Sequence, residues 1–177
     1  MIYFVTSNKG KFKEACAIFG DLEMRNLGYT EVQADTLEEV VEFGMREVNT
    51  NLSSPFMIED AGLFIQCFKG FPGVYSAYVQ RTLGNNGILK LMEGIDDRRA
   101  YFRSVIGYVE PGLEPMMFTG ELHGRIGFQT RGSLGFGYDP IFYIEDKSLG
   151  EMKVEEKNKI SHRGKSMIAL KQWRDDR

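Results

Sequence analysis

Apolar and polar positions are grouped along this chain in blocks that predict alternating strands and helices. Ile2 to Val5 is a short run of strand formers that ends in the polar turn Thr6-Ser7-Asn8. Beyond it Phe12, Ala15, Cys16 and Phe19 recur at helical spacing. Thr36-Leu37-Glu38-Glu39 has the form of a capping box, in which Thr36 caps a helix and Glu39 returns to the backbone. Leu37, Val40, Val41, Gly44, Met45 and Val48 then make an apolar stripe. Phe56-Met57-Ile58 reads as a second buried strand, with Glu59-Asp60 at its end. Asn85-Asn86-Gly87 precedes a helical stretch with Ile88, Leu89 and Met92. Tyr101 to Val109 reads as a strand, Pro111-Gly112 as a turn, and Met116 to Phe128 as one or two further strands. The tail from Ser161 to Trp173 reads as a helix capped by Ser161, with Met167, Ile168 and Leu170 on or near its core face.

Strand–helix and hairpin-like connections together predict a mixed α/β (α+β) fold, one mixed sheet flanked by helices and holding a cleft. The chain of 177 residues fits one domain, residues 1–177, and can bury a core without disulfides or a structural metal. A net charge of −3 argues against a nucleic-acid or anionic-membrane partner, though a local basic patch could hold phosphates. Cys16 and Cys67 form no CxxC pair and are expected in the core of a cytoplasmic protein. No apolar run reaches membrane-span length, and MIYFVTSNKGK lacks the features of a signal peptide.

Four segments carry candidate chemistry. Thr6-Ser7-Asn8-Lys9-Gly10-Lys11 lies between a strand and a helix, where free N–H groups and the helix dipole attract phosphate; it is neither a Walker loop nor a Rossmann glycine pattern. The plainer alternative is a capped helix with solvated lysines. Glu59-Asp60-Ala61-Gly62 offers carboxylates where open α/β sheets bind ligands, and hard oxygens suit Mg²⁺; an acidic turn is the alternative. Neighbouring side chains of a strand face opposite ways, so only one of Glu59 and Asp60 should face the cleft. Gly132 to Pro140 flanks two aromatics, Phe136 and Tyr138, with glycines; a purine could stack there, or the aromatics could plug the core. In Glu155 to Gly164, His162 and Arg163 fall in the first turn of the last helix, beside Lys157 and Lys159. Positive charge there opposes the dipole, which points to an anionic or acceptor-rich ligand unless the segment is a solvated basic cap. His123 falls in a strand-like segment and is expected to be structural.

Taken together and in order, these segments resemble the inosine triphosphate pyrophosphatase family, also called XTP/ITP or Ham1-like pyrophosphatases. TSNKGK is similar to the family's phosphate motif and MIEDAGLFI to its acidic motif. GFPGVYSAYV resembles its proline-glycine loop, and GFGYDPIF and EKNKISHRGK its two base-recognition motifs. The resemblance implies an elongated two-lobed fold with a curved mixed sheet and a central cleft, assembled as a homodimer. It implies that Thr6, Ser7, Asn8 and Lys11 hold the triphosphate and that Glu31 and Asp60 bind Mg²⁺. Asp60 or Glu59, with Lys11, would serve catalysis by orienting or deprotonating water. Ala61 and Ser76 would line the cleft and Phe136 would stack on the base beside Gly137, Tyr138 and Asp139. Lys157 would reach phosphate or base, and His162 and Arg163 would read the purine edge. Two departures from the family pattern are Tyr78, where bacterial members often carry a basic residue, and Arg46, near where others place lysine.

The reaction so implied is attack of water on the α-phosphorus of a deaminated purine triphosphate (ITP, dITP or XTP), with pyrophosphate leaving. Donors at His162 and Arg163 would suit a 6-oxo group and oppose the 6-amino group of adenine, and a mispaired buried polar group costs about 1–3 kcal/mol. Two rivals are a Maf-like pyrophosphatase of modified nucleotides, against which the SHR and GFGYDP segments speak, and a non-catalytic nucleotide-binding regulator, against which Glu31, Asp60 and Lys11 speak.

Overall fold

A computed structural model describes residues 1–28, 30 and 32–177. The chain runs β1 (Ile2–Val5), α1 (Lys9–Phe19), β2 (Leu22–Arg25), α2 (Leu37–Asn49), β3 (Phe56–Ile65), α3 (Ser76–Thr82), α4 (Gly84–Leu91), β4 (Arg99–Val109) and β5 (Met116–Ile126). It ends with β6 (Phe142–Ile144), β7 (Lys147–Ser148), α5 (Val154–Ile160) and α6 (His162–Asp175). The strands form one mixed sheet in the order β2-β1-β3-β4-β5-β6-β7. β1 pairs in parallel with β2 and β3, and every later pairing is antiparallel.

Three apolar cores explain this layout. On one face of the sheet α2 buries Leu37, Val41, Met45 and Val48 against Phe56, Ile58 and Val105. On the opposite face α1 and α6 bury Ala15, Met167 and Leu170 against Phe4, Met57, Ile106 and Tyr108. The far halves of β3, β4 and β5 bury Leu63, Ile65, Phe102 and Leu122 against Val79, Ile88 and the segment from Tyr138 to Met152. The long strands thus run from one packed lobe into another, and a cleft opens where α1 and α6 begin, beside the third core.

The capping box at Thr36 forms as expected, with Thr36 Oγ1 accepting from Glu39 N–H and Glu39 accepting from the Thr36 N–H. Ser161 caps α6 by accepting from Gly164 N–H at 2.9 Å. Several details differ from the pattern-based expectation. Glu59-Asp60 is not a strand end: β3 continues to Ile65 because Leu63 and Ile65 plug the third core. Gly62 permits this, since a Cβ there would lie 2.3 Å from the Gly73 carbonyl oxygen. Asn85, Asn86 and Gly87 lie inside α4, not before it. His123 does lie on a strand, but its side chain is exposed and bonds Glu121. Cys16 and Cys67 are only half-buried. Ile168 points out of the core that holds its neighbours Met167 and Leu170.

Candidate active site

The cleft encloses about 320 Å³. Residues scattered over 155 positions of sequence meet on its wall: Asn8, Lys11, Asp60, Ala61, Ser76, Phe136, Gly137, Tyr138, Asp139, Lys157, His162 and Arg163. Thr6, Ser7 and Glu59 are not on that wall. Glu31 lies outside the described residues. Arg46 sits on the exposed face of α2, paired with Glu42, and Tyr78 is exposed beside Arg81.

One end of the cleft is built from the start of α1 and the open edge of β3. β1 pairs with β3 only at Phe56 and Met57. Beyond it the Glu59 carbonyl is left for another donor, and Lys11 Nζ supplies it at 3.0 Å while lying 2.8 Å from Glu59 Oε2. An ammonium has three donors, so Lys11 keeps one for a ligand. The helix end offers fewer free N–H groups than the sequence suggests. Asn8 Oδ1 accepts from the Gly10 and Lys11 N–H groups at 2.9 and 3.1 Å, and Thr6 Oγ1 accepts from Asn8 N–H at 3.1 Å. Thr6 and Asn8 therefore shape this end, and Lys11 provides its charge. Asp60 lines the cleft with Oδ1 accepting from Ala61 N–H at 2.9 Å, while Glu59 turns to the α1/α6 face and is buried.

Beneath the wall lies a buried ionic network that local pattern does not reveal. Lys157 Nζ is held by Glu14 Oε1 at 2.7 Å and Asp139 Oδ2 at 2.6 Å. Arg163 spans Glu14 and Glu59, with Nε 3.2 Å from Glu59 Oε1. Ser104 donates to Glu59 Oε1 at 2.8 Å and contacts Ser166 Oγ at 3.0 Å. Three cations, Lys11, Lys157 and Arg163, thus meet three carboxylates, Glu14, Glu59 and Asp139. His162 and Arg163 are buried, so the segment is no solvated cap, and two of the Arg163 donors are already committed. Glu14 is a functional residue that the sequence reading missed. Its three-residue spacing from Lys11 looks like a surface helix pair, yet the two side chains serve different partners.

The aromatic part of the wall adjoins the start of α1. Phe136 rests against the start of α1: a Cβ on Gly10 would fall 2.6 Å from Phe136 Cδ1, so glycine is required at that contact. Lys157 Nζ and Arg163 Cζ lie 4.9 and 5.4 Å from the Phe136 ring centroid. Asp139 Oδ2 accepts from the Phe136 N–H at 2.8 Å, fixing the loop from below. His162 stacks on Phe102 with centroids 4.7 Å apart, and its Nδ1 is buried without a partner.

Burial alone would raise the Glu59 carboxyl, but Arg163 and Lys11 more than reverse it and hold it at about 2. Glu14 is likewise lowered, with Arg163 and Lys157 overcoming its burial. Burial beside Arg163 keeps His162 far below the usual histidine range, hence neutral. Asp139 moves the opposite way, raised by burial against Lys157. A depressed carboxylate contributes stability above its unfolded pKa, lost as pH falls through the folded one; for Glu59 this is worth roughly 3 kcal/mol. A histidine held neutral by the fold loses stability as pH drops below its unfolded value near ~6.5. Asp139, with its raised value, acts in the opposite direction. Thermal unfolding should therefore show a Tm that declines from about pH 6.5 downward and more steeply below about pH 4.5. His162→Gln should abolish the first limb alone, and its persistence would refute the assignment.

A metal-bearing ligand would meet suitable chemistry here. Mg²⁺ takes hard oxygens, commonly one or two carboxylates with the rest from phosphate and water. Asp60 presents a carboxylate on the wall that also carries Lys11. Among the described residues no group of three or more His, Cys, Asp or Glu is placed to cage an ion.

The sequence pattern of the Ham1 family matches residues 2–173. The dITP/XTP pyrophosphatase of Pyrococcus horikoshii is 52% identical, with 97% of this chain and 95% of that protein covered. That of Thermococcus kodakarensis is 48% identical, covering 96% and 95%. Among solved structures, the Staphylococcus aureus Ham1 protein superposes with a TM-score of 0.85 at 29% identity, covering 99% and 98% of the two chains.

Proposed function

Because this chain belongs to the Ham1 family, we propose that it cleanses the nucleotide pool by hydrolysing deaminated purine nucleoside triphosphates (ITP, dITP and XTP) to the monophosphate and pyrophosphate. The observation that carries this reading is the meeting, on one cleft wall, of Lys11 and Asp60 with Phe136 and His162. The first pair suits a polyphosphate; the second suits a flat base with polar edges. The archaeal relatives named as dITP/XTP pyrophosphatases, about half identical along nearly their whole length, support the choice of purine substrate.

The residues divide the work. Lys11, anchored to Glu59, offers its remaining N–H to phosphate oxygens. Mg²⁺ would be held by Asp60, with Glu31 as a second ligand, and when bound would neutralise charge on the phosphates. Asp60 also orients the attacking water. Glu59 is unsuited to act as base, because its proton affinity is too low and it is buried behind Lys11 and Arg163. It serves instead to hold Lys11 and Arg163. The aromatic end receives the base on Phe136, and neutral His162 and the Arg163 side chain stand at its edge. Inosine and xanthosine carry a 6-oxo acceptor where adenosine carries a donor, and a mispaired buried group costs about 1–3 kcal/mol, roughly ten- to a hundredfold in kcat/KM.

Action as a cytoplasmic homodimer completes the proposal. Among the described residues no helix is long and apolar enough to cross a membrane, and Phe71 and Leu91 share a shallow apolar groove that a second copy could cover. Sedimentation at the monomer mass would remove the dimer from it.

The decisive experiment is a panel of purine and pyrimidine triphosphates with Mg²⁺ and with the metal chelated, identifying the products. ITP, dITP and XTP should be converted fastest, only with metal, to monophosphate and pyrophosphate. Release of orthophosphate and diphosphate would place the cut at another bond and overturn the reading.

A further inference from the structure

Two side-chain amides converge on a single backbone carbonyl of the loop that carries Phe136. Gln80 of α3 lines the cleft and donates from Nε2 to the Gly137 oxygen at 3.2 Å. Asn85 of α4 donates from Nδ2 to the same oxygen at 3.0 Å. A carbonyl oxygen has two lone pairs and can accept both. Both amide orientations are dictated by this contact, because a flipped amide would set oxygen against oxygen.

The loop needs such a restraint. Gly135 and Gly137, on either side of Phe136, have φ of +77° and +61°, so the backbone there follows a path open chiefly to glycine, with little side chain to pack. Besides the amide pair, the loop is tied to the α3 region by Tyr138 Oη donating to the Ser76 carbonyl at 2.8 Å. The peptide between Gly137 and Tyr138 is planar, so fixing the carbonyl also fixes the direction of the Tyr138 N–H. Gly137 and Tyr138 both line the cleft.

We propose that Gln80 and Asn85 act as a redundant amide clamp. By gripping Gly137 they set the position of Phe136 and of the Gly137–Tyr138 peptide for the incoming purine. Both are positioning residues and touch no reacting atom. This rests on the reading that the cleft holds a purine nucleoside triphosphate with its base at Phe136.

Redundancy gives the clamp a signature that ordinary packing lacks. Either amide alone keeps the carbonyl satisfied, so losing one is mild and losing both leaves a restrained peptide without a partner. Gln80→Leu and Asn85→Leu should each raise KM for ITP about two- to threefold. The double variant should raise it more than the product of the two, about twentyfold or beyond, with kcat within about twofold of wild type. Should the leucine pair fail to fold, Gln80→Met with Asn85→Ala removes both donors without adding charge and should show the same split. Single effects that merely multiply, or kcat and KM worsening together with a lowered Tm, would overturn the clamp. Failure of the wild-type protein to hydrolyse ITP would instead defeat the functional reading beneath it.

Discussion

Asp60→Asn should hydrolyse ITP about a thousandfold more slowly than wild type while unfolding at nearly the same temperature. Asp60 lies on the cleft wall and is only partly buried, in the middle of a strand whose ladder to β4 does not depend on its side chain. Asparagine keeps the size and one carbonyl oxygen but removes the negative charge that suits a divalent cation and a polarised water. The effect should fall on kcat, since the base end is untouched. Glu59→Gln separates this role from that of its neighbour. Removing that carboxylate leaves Lys11 and Arg163 short of a partner, so its loss should appear first in stability. Steady-state kinetics with thermal melts decide the matter. A decrease below about tenfold for Asp60→Asn would show that the carboxylate does not serve the reaction.

Glu14→Gln should cost about 3–5 kcal/mol of folding stability. Glu14 is buried and its two oxygens serve Lys157 and Arg163, cations that are themselves buried. Glutamine preserves the volume, so the loss isolates the charge and leaves the network with one uncompensated cation in a poorly solvated place. For a chain of this size that corresponds to a Tm lower by roughly 6–20 °C. The same change should weaken ITP binding, because Lys157 and Arg163 flank the Phe136 ring. Denaturant unfolding that shows less than about 1 kcal/mol of loss would mean that water or a rearranged partner meets the charge.

The network also explains why the last helix can begin with His162 and Arg163 against its dipole. At an exposed helix start these residues would be mildly unfavourable. Here Glu14 and Glu59 approach from α1 and β3 and supply the negative charge that the helix end itself would favour. Gly120 lets α6 settle directly on β5, since a Cβ there would lie 2.2 Å from the His162 carbonyl oxygen. Packing at that glycine and ion pairing at Arg163 thus fix the same turn.

Periodicity and local chemistry determined the opening strand–turn–helix, the capped helix from Leu37, the long strand ending at Val109 and the Ser161-capped final helix, because those signals are contained within a few neighbouring residues. The motifs likewise named most of the cleft wall. Sequence could not reveal that β3 runs on past Asp60, since what extends it is the third core waiting for Leu63 and Ile65. Nor could it reveal Glu14, Gln80 or Asn85, whose partners lie 143, 57 and 52 positions away. A polar side chain on a helix reads as solvated until another element covers it, and which element does so is decided by the assembly of the sheet and its helices. Tertiary structure alone therefore turned three ordinary surface-looking residues, Glu14 buried and Gln80 and Asn85 partly so, into supports of the cleft.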